Sequence, residues 1–78
     1  MTKVIVYSTP TCPWCIKTKD FLKSKNVGYS DLDVSSNHDA AKEMIIKSGQ
    51  KGVPVLDIDG KIILGFDKEK IVEALGIE

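Results

Sequence analysis

The chain contains no arginine; all eleven of its basic residues are lysines. A guanidinium fork is the group that reads guanine edges and clamps phosphates bidentately, so its absence speaks against nucleic-acid recognition. Eleven acids balance the lysines to a formal net charge of zero, and no global field draws the chain toward a polyanion. Long apolar runs are missing too. None approaches the ~20 residues needed to cross a bilayer. The start, Met1-Thr2-Lys3 followed by a few apolar residues, lacks the apolar stretch and small-residue cleavage site of a signal peptide. The expectation is a cytoplasmic protein with no membrane association. Histidine occurs once, at His38, and cysteine only twice, at Cys12 and Cys15. Structural zinc asks for four ligands, so no metal site is expected, and two thiols do not make a disulfide-dense scaffold.

What is present fits one folded domain over residues 1–78. Seventy-eight residues, 42% hydrophobic and 28% charged, suffice for one core and are too few for two. Val4-Ile5-Val6-Tyr7 is β-branched and aromatic without alternation, as for a central strand buried on both faces, and Ser8-Thr9-Pro10 ends it. Pro13 suits the first turn of a helix whose pattern runs from Trp14 to about Lys25. Cys15, Thr18, Phe21 and Leu22 share one face, with Lys17, Asp20 and Ser24 pointing away. Asn26-Val27-Gly28 closes that helix, and Tyr29 to Val34 reads as an acidic edge strand. A second helix opens within Ser35 to Asp39, turns Ala41, Met44, Ile45 and Ser48 inward, and stops at Gly49. Asp59-Gly60 joins Val55–Ile58 and Lys61–Leu64 in a hairpin, and Asp67 caps a last helix that ends at Gly76. The order strand, helix, strand, helix, hairpin, helix predicts a mixed four-stranded sheet covered by helices. Lysines crowd the first thirty residues, where Lys3, Lys17, Lys19, Lys23 and Lys25 face only Asp20. A solvated helix face explains that run as well as a functional one does.

Both cysteines fall in Thr11-Cys12-Pro13-Trp14-Cys15, at the start of the first helix. Cys-x-x-Cys in that position reads as a dithiol redox motif, in which Cys12 faces outward and Cys15 inward. The thiolate is the nucleophile. A helix dipole stabilises an anion by ~0.3–2 kcal/mol, and each amide N–H bonded to a charged acceptor by ~1.5–3 kcal/mol. Pro13 has no N–H, so the Trp14 and Cys15 amides are the expected donors to the Cys12 sulfur, with Lys17 and Lys19 as minor, solvent-screened contributors. Cys12 then attacks a disulfide and Cys15 resolves the mixed disulfide.

These residues, together with the loop Gly52-Val53-Pro54 and the segment Gly65-Phe66-Asp67, make the chain similar to a glutaredoxin over essentially its whole length. The resemblance implies an α/β thioredoxin fold, a four-stranded mixed sheet flanked by three helices in the order βαβαββα, with Pro54 cis against the cysteines. It implies a monomeric, glutathione-dependent thiol–disulfide oxidoreductase that reduces disulfide-containing or glutathionylated proteins, with no bound cofactor and with glutathione as co-substrate. Val53 would then pair its backbone with the cysteinyl part of glutathione, Phe66 and Asp67 would hold the γ-glutamyl end, and Trp14 would offer a flat apolar face. Asp67 reads equally well as a plain N-cap, Phe66 as a core contact and Trp14 as a partly buried loop aromatic. Thr9 stands where the family often has a lysine, and Leu64-Gly65 where it often has two glycines. In this resemblance Lys51 would take over one glutathione carboxylate. Gly65-Phe66 also resembles glutaredoxin-like redoxins that take electrons from thioredoxin reductase and serve ribonucleotide reductase, which is the alternative reading. A third is a carrier that bridges a [2Fe-2S] cluster between two subunits, against which Pro13 speaks because it stiffens the turn.

Overall fold

β-Branched packing makes Val4–Ser8 the first strand, β1, and Val4, Val6, Tyr7 and Ser8 on it are buried. In the computed structural model, which describes residues 3–76, it is followed by helix α1 (Pro13–Ser24), strand β2 (Ser30–Asp33) and helix α2 (His38–Ser48). Strands β3 (Val55–Ile58) and β4 (Lys61–Leu64) and helix α3 (Lys68–Leu75) complete the chain. Met1, Thr2, Ile77 and Glu78, the ends of the expected domain, lie outside the described residues. The sheet order is β2-β1-β3-β4, with β1 parallel to β2 and the other pairs antiparallel, which is the mixed sheet of the thioredoxin fold. Tyr7 of β1 lies opposite Leu32 on one side and Val55 on the other.

Each element ends where local chemistry stops it. Cys12 itself is the N-cap of α1, and Pro13 opens the helix one residue earlier than the apolar pattern indicates. Asn37 caps α2, its Oδ1 accepting the Ala40 N–H at 3.0 Å, and Gly49 in the left-handed region terminates it. In the hairpin Asp59 and Gly60 both have positive φ, the condition for a tight two-residue turn, and Asp57 Oδ1 accepts the Gly60 N–H.

The sheet buries two faces. Val4, Val6, Leu22, Leu56, Ile58, Ile63 and Ile71 form the larger cluster beneath α1 and α3. Tyr7, Ala40, Met44 and Val55 form the smaller one beneath α2, joined by the half-buried Val53. The expected inner face of α2 needs correction. Ala40 and Met44 are buried, Ala41 and Ser48 are half-buried, and Ile45 is exposed. The i, i+4 pair 40 and 44 sets the phase, and Ile45, one residue on, is turned about 100° out of it.

Candidate active site

Backbone geometry at the start of α1 makes the two cysteines unequal. Cys12 adopts an extended conformation, its N–H donates to Thr9 O at 3.3 Å and its carbonyl receives the Ile16 N–H that begins the helix. Its sulfur is partly exposed and accepts the Cys15 N–H at 3.2 Å. Of the two expected amide donors only Cys15 supplies a bond among the described residues. An N-cap side chain accepts from the amide two or three positions on, and here it is the third, that of Cys15, that the sulfur meets. Cys15 is fully buried. Desolvation, and next the hydrogen bond with Cys12, push its thiol up to about 11, so it is held protonated near neutrality. Thr18, one turn further in, is buried as well and satisfies its hydroxyl on the Trp14 carbonyl at 2.8 Å.

Three separate parts of the chain meet around Cys12. The Val53–Pro54 bond is cis, and the Cys12 sulfur lies 3.9 Å from the Val53 carbonyl oxygen. Pro54 is buried, its carbonyl accepting the N–H of Gly65, which has positive φ. Trp14, Val53, Pro54, Gly65 and Phe66 line an open cleft of about 260 Å3. Trp14 is 56% exposed and its ring centroid is 6.5 Å from that of Phe66, which also meets Phe21 edge-on at 5.8 Å. Phe66 therefore makes the core contact and the cleft contact together. A cleft of similar size, about 270 Å3, lies between β4 and α3, and neither cleft is lined by a cysteine, but the first is the one whose wall residue Val53 has its carbonyl 3.9 Å from the Cys12 sulfur.

Two expected site residues stand apart from the cleft lining. Lys51 is exposed and outside it. Asp67 is outside it too; its Oδ1 accepts the Lys70 N–H at 3.2 Å and its Oδ2 lies 4.0 Å from Lys70 Nζ, the geometry of an N-cap. Lys17 and Lys19 are engaged elsewhere, Lys17 over the Trp14 ring at 4.5 Å and Lys19 with Asp31 at 3.0 Å. A residue the sequence did not single out is Gln50. Its side chain accepts the Gly52 N–H at 2.6 Å and donates to the Gly52 carbonyl at 3.0 Å, bracing the loop that delivers Val53. An amide side chain two residues before a loop glycine was the only available signal.

A dithiol at a helix start, one sulfur partly exposed and one buried, facing a cis-proline loop on a mixed four-stranded sheet, defines a redox protein of the thioredoxin superfamily. The sequence model of the glutaredoxin family matches residues 4–63, and the chain belongs to that family. It is 54% identical over 66 residues to an uncharacterized glutaredoxin-like 8.6 kDa protein in the rubredoxin operon of Clostridium pasteurianum, covering 85% of this chain and 88% of that one. It is 37% identical over 76 residues to glutaredoxin 3 of Escherichia coli K12, covering 97% of this chain and 92% of the relative. The crystal structure of a mutant thioredoxin-like protein superposes with a TM-score of 0.93 at 37% identity, covering all of both chains.

Proposed function

We propose that the protein is a thiol–disulfide oxidoreductase that reduces protein and glutathione mixed disulfides, with Cys12 as nucleophile and Cys15 as resolving thiol. The observation that carries this reading is the inequality of the sulfurs: Cys12 is reachable and accepts the Cys15 amide, whereas Cys15 is buried with its proton held. In its thiolate form Cys12 attacks one sulfur of the substrate disulfide. A Cys12 mixed disulfide forms, and the other substrate sulfur leaves as a thiolate that takes a proton from water. Cys15, once deprotonated, can then attack the Cys12 sulfur, closing the Cys12–Cys15 disulfide and releasing the second thiol. Two glutathione molecules restore the dithiol and leave as glutathione disulfide. In the shorter route glutathione attacks the mixed disulfide directly and Cys15 is not used.

Val53, Pro54, Trp14 and Phe66 are the residues that hold the substrate in this reading. Among the described residues the Val53 N–H has no protein partner, which suits pairing with an extended peptide such as the cysteinyl part of glutathione. Lys51 and Asp67 stand outside the cleft lining, and this favours a second reading in which thioredoxin reductase, not glutathione, reduces the Cys12–Cys15 disulfide and ribonucleotide reductase is the client. One comparison separates the two. Turnover of a single disulfide substrate is measured with glutathione and glutathione reductase, and again with thioredoxin reductase. The glutathione reading predicts turnover with the first system and a Cys15→Ser variant still active on a glutathionylated substrate. Turnover only with thioredoxin reductase, with Cys15→Ser inert, transfers the case to the second reading, and full activity in Cys12→Ser overturns both.

A further inference from the structure

Lys17, Lys25 and Lys68 share a feature that the redox chemistry leaves unused. Each ammonium stands over an aromatic ring, Lys17 over Trp14 at 4.5 Å, and Lys25 and Lys68 over Phe21 at 5.9 and 5.5 Å. Those rings are contiguous, since Phe66 links Trp14 to Phe21. Among the described residues none of the three lysines has a carboxylate within ion-pair distance, whereas Lys19, Lys47 and Lys70 each do. Trp14, Lys17, Phe21 and Lys25 recur at helical spacing, so they make one stripe that begins at the cleft and runs down α1 for about 16 Å at ~1.5 Å per residue. Acids do not cancel it. Asp20 is the single acid on α1 among Lys17, Lys19, Lys23 and Lys25, of which Lys19 is paired with Asp31, and on the α3 side Asp67 is committed to Lys70, leaving Glu69 and Glu73.

A charge over a ring keeps its field while its side chain has fewer conformers to lose on binding, and the rings beside it accept an apolar side chain. We propose that this stripe is the docking surface for an acidic protein segment. The partner's disulfide cysteine meets Cys12, an adjoining aliphatic side chain lies on Trp14 and Phe66, and carboxylates about five residues along an extended chain, at ~3.3 Å each, meet Lys25 and Lys68. Glutathione is too short to reach that far, so the stripe selects among protein substrates and leaves the tripeptide untouched. The inference names a substrate class for the proposed reductase and rests on that reading.

Trp14 is the single tryptophan, so its fluorescence reports occupancy without turnover. Two cysteine-free peptides of about ten residues serve as probes, each with a leucine followed about five residues later by three glutamates or by three glutamines. The glutamate peptide should bind wild type about tenfold more tightly at ~0.05 M salt and lose that advantage at ~0.5 M. The Lys25→Glu/Lys68→Glu variant should lose the preference while turning over 2-hydroxyethyl disulfide with glutathione at the wild-type rate, and Lys25→Gln/Lys68→Gln should fall between. Equal affinity of the two peptides for wild type, or a preference that survives charge reversal, overturns the docking surface. Absence of turnover on every disulfide would count against the reductase reading alone, since peptide binding is read without it.

Discussion

The two faces of the sheet use lysine in opposite ways. Beneath α1 and α3 the core is apolar and large, built on Leu22, Val6, Leu56, Ile58 and Ile71, and three of the lysines above it, Lys17, Lys25 and Lys68, lie over rings with no ion pair among the described residues. Beneath α2 the apolar contribution of the helix is only Ala40 and Met44, and a charge cluster does the holding. Lys47 Nζ lies 2.6 Å from Asp57 Oδ2, 2.8 Å from Glu43 Oε1 and 3.0 Å from the hydroxyl of Tyr7, which donates to Glu43 at 2.7 Å. Asp57, then Glu43 and Tyr7, raise Lys47 well above the ordinary lysine range, and Lys47 in turn lowers Glu43. Where apolar area runs short, a largely buried carboxylate paired with a half-covered lysine ties helix to sheet, and where apolar area suffices, Lys17, Lys25 and Lys68 are left without a carboxylate among the described residues.

Substitutions sharpen that contrast in order of size. Leu22→Ala, which opens a cavity under α1, should lower stability by about 3 to 4 kcal/mol in a urea titration of the reduced protein. Lys47→Met should cost about 2 to 3 kcal/mol, because it strands the largely buried Asp57 carboxylate, whereas Lys25→Met should stay within about 0.5 kcal/mol. A Lys47→Met protein as stable as wild type would erase the distinction between the faces.

pH separates the thiol from the charges. The folded Cys15 value of about 11 lies above its ordinary 9.0, so the stability it contributes is whole below pH 9 and is lost as pH rises through 11. That loss should amount to about 2 to 3 kcal/mol, two pKa units at ~1.4 kcal/mol each. Tyr7, raised by burial, and Lys47 work in the same sense from pH 10 upward, so the difference in slope between reduced wild type and Cys15→Ala isolates the thiol. Identical slopes would mean that burial does not hold the proton on Cys15. The smallest effect belongs to Asp67→Ala, about 1 kcal/mol from the lost α3 cap. Its Michaelis constant for glutathione should change little if Asp67 serves only as the cap, and should rise severalfold if the carboxylate also meets the ligand.

Much of this was legible in the chain because it is local. Pro13 after Cys12 and the 3.6-residue period from Cys15 to Leu22 are enough to turn one thiol out and the other in, and Asp59-Gly60 is enough to place the hairpin. The cis geometry before Pro54 was available only through the family resemblance, since nothing in Val53-Pro54 itself demands it. The Lys47 cluster was not legible, because it joins Tyr7, Glu43 and Asp57 from three elements and depends on the sheet register that sets Asp57 beside Ile5. Ile45 was misplaced for a related reason: apolar identity does not fix the phase of a helix when Ala40 and Met44 offer a better-fitting row.

The central claim is that the cysteines are unequal before any substrate arrives, and alkylation of the reduced protein tests it directly. Brief treatment with iodoacetamide near pH 7, followed by mass mapping of the peptides, should find the label on Cys12 and Cys15 unmodified. Equal labelling of both thiols, or labelling of Cys15 first, would contradict the account.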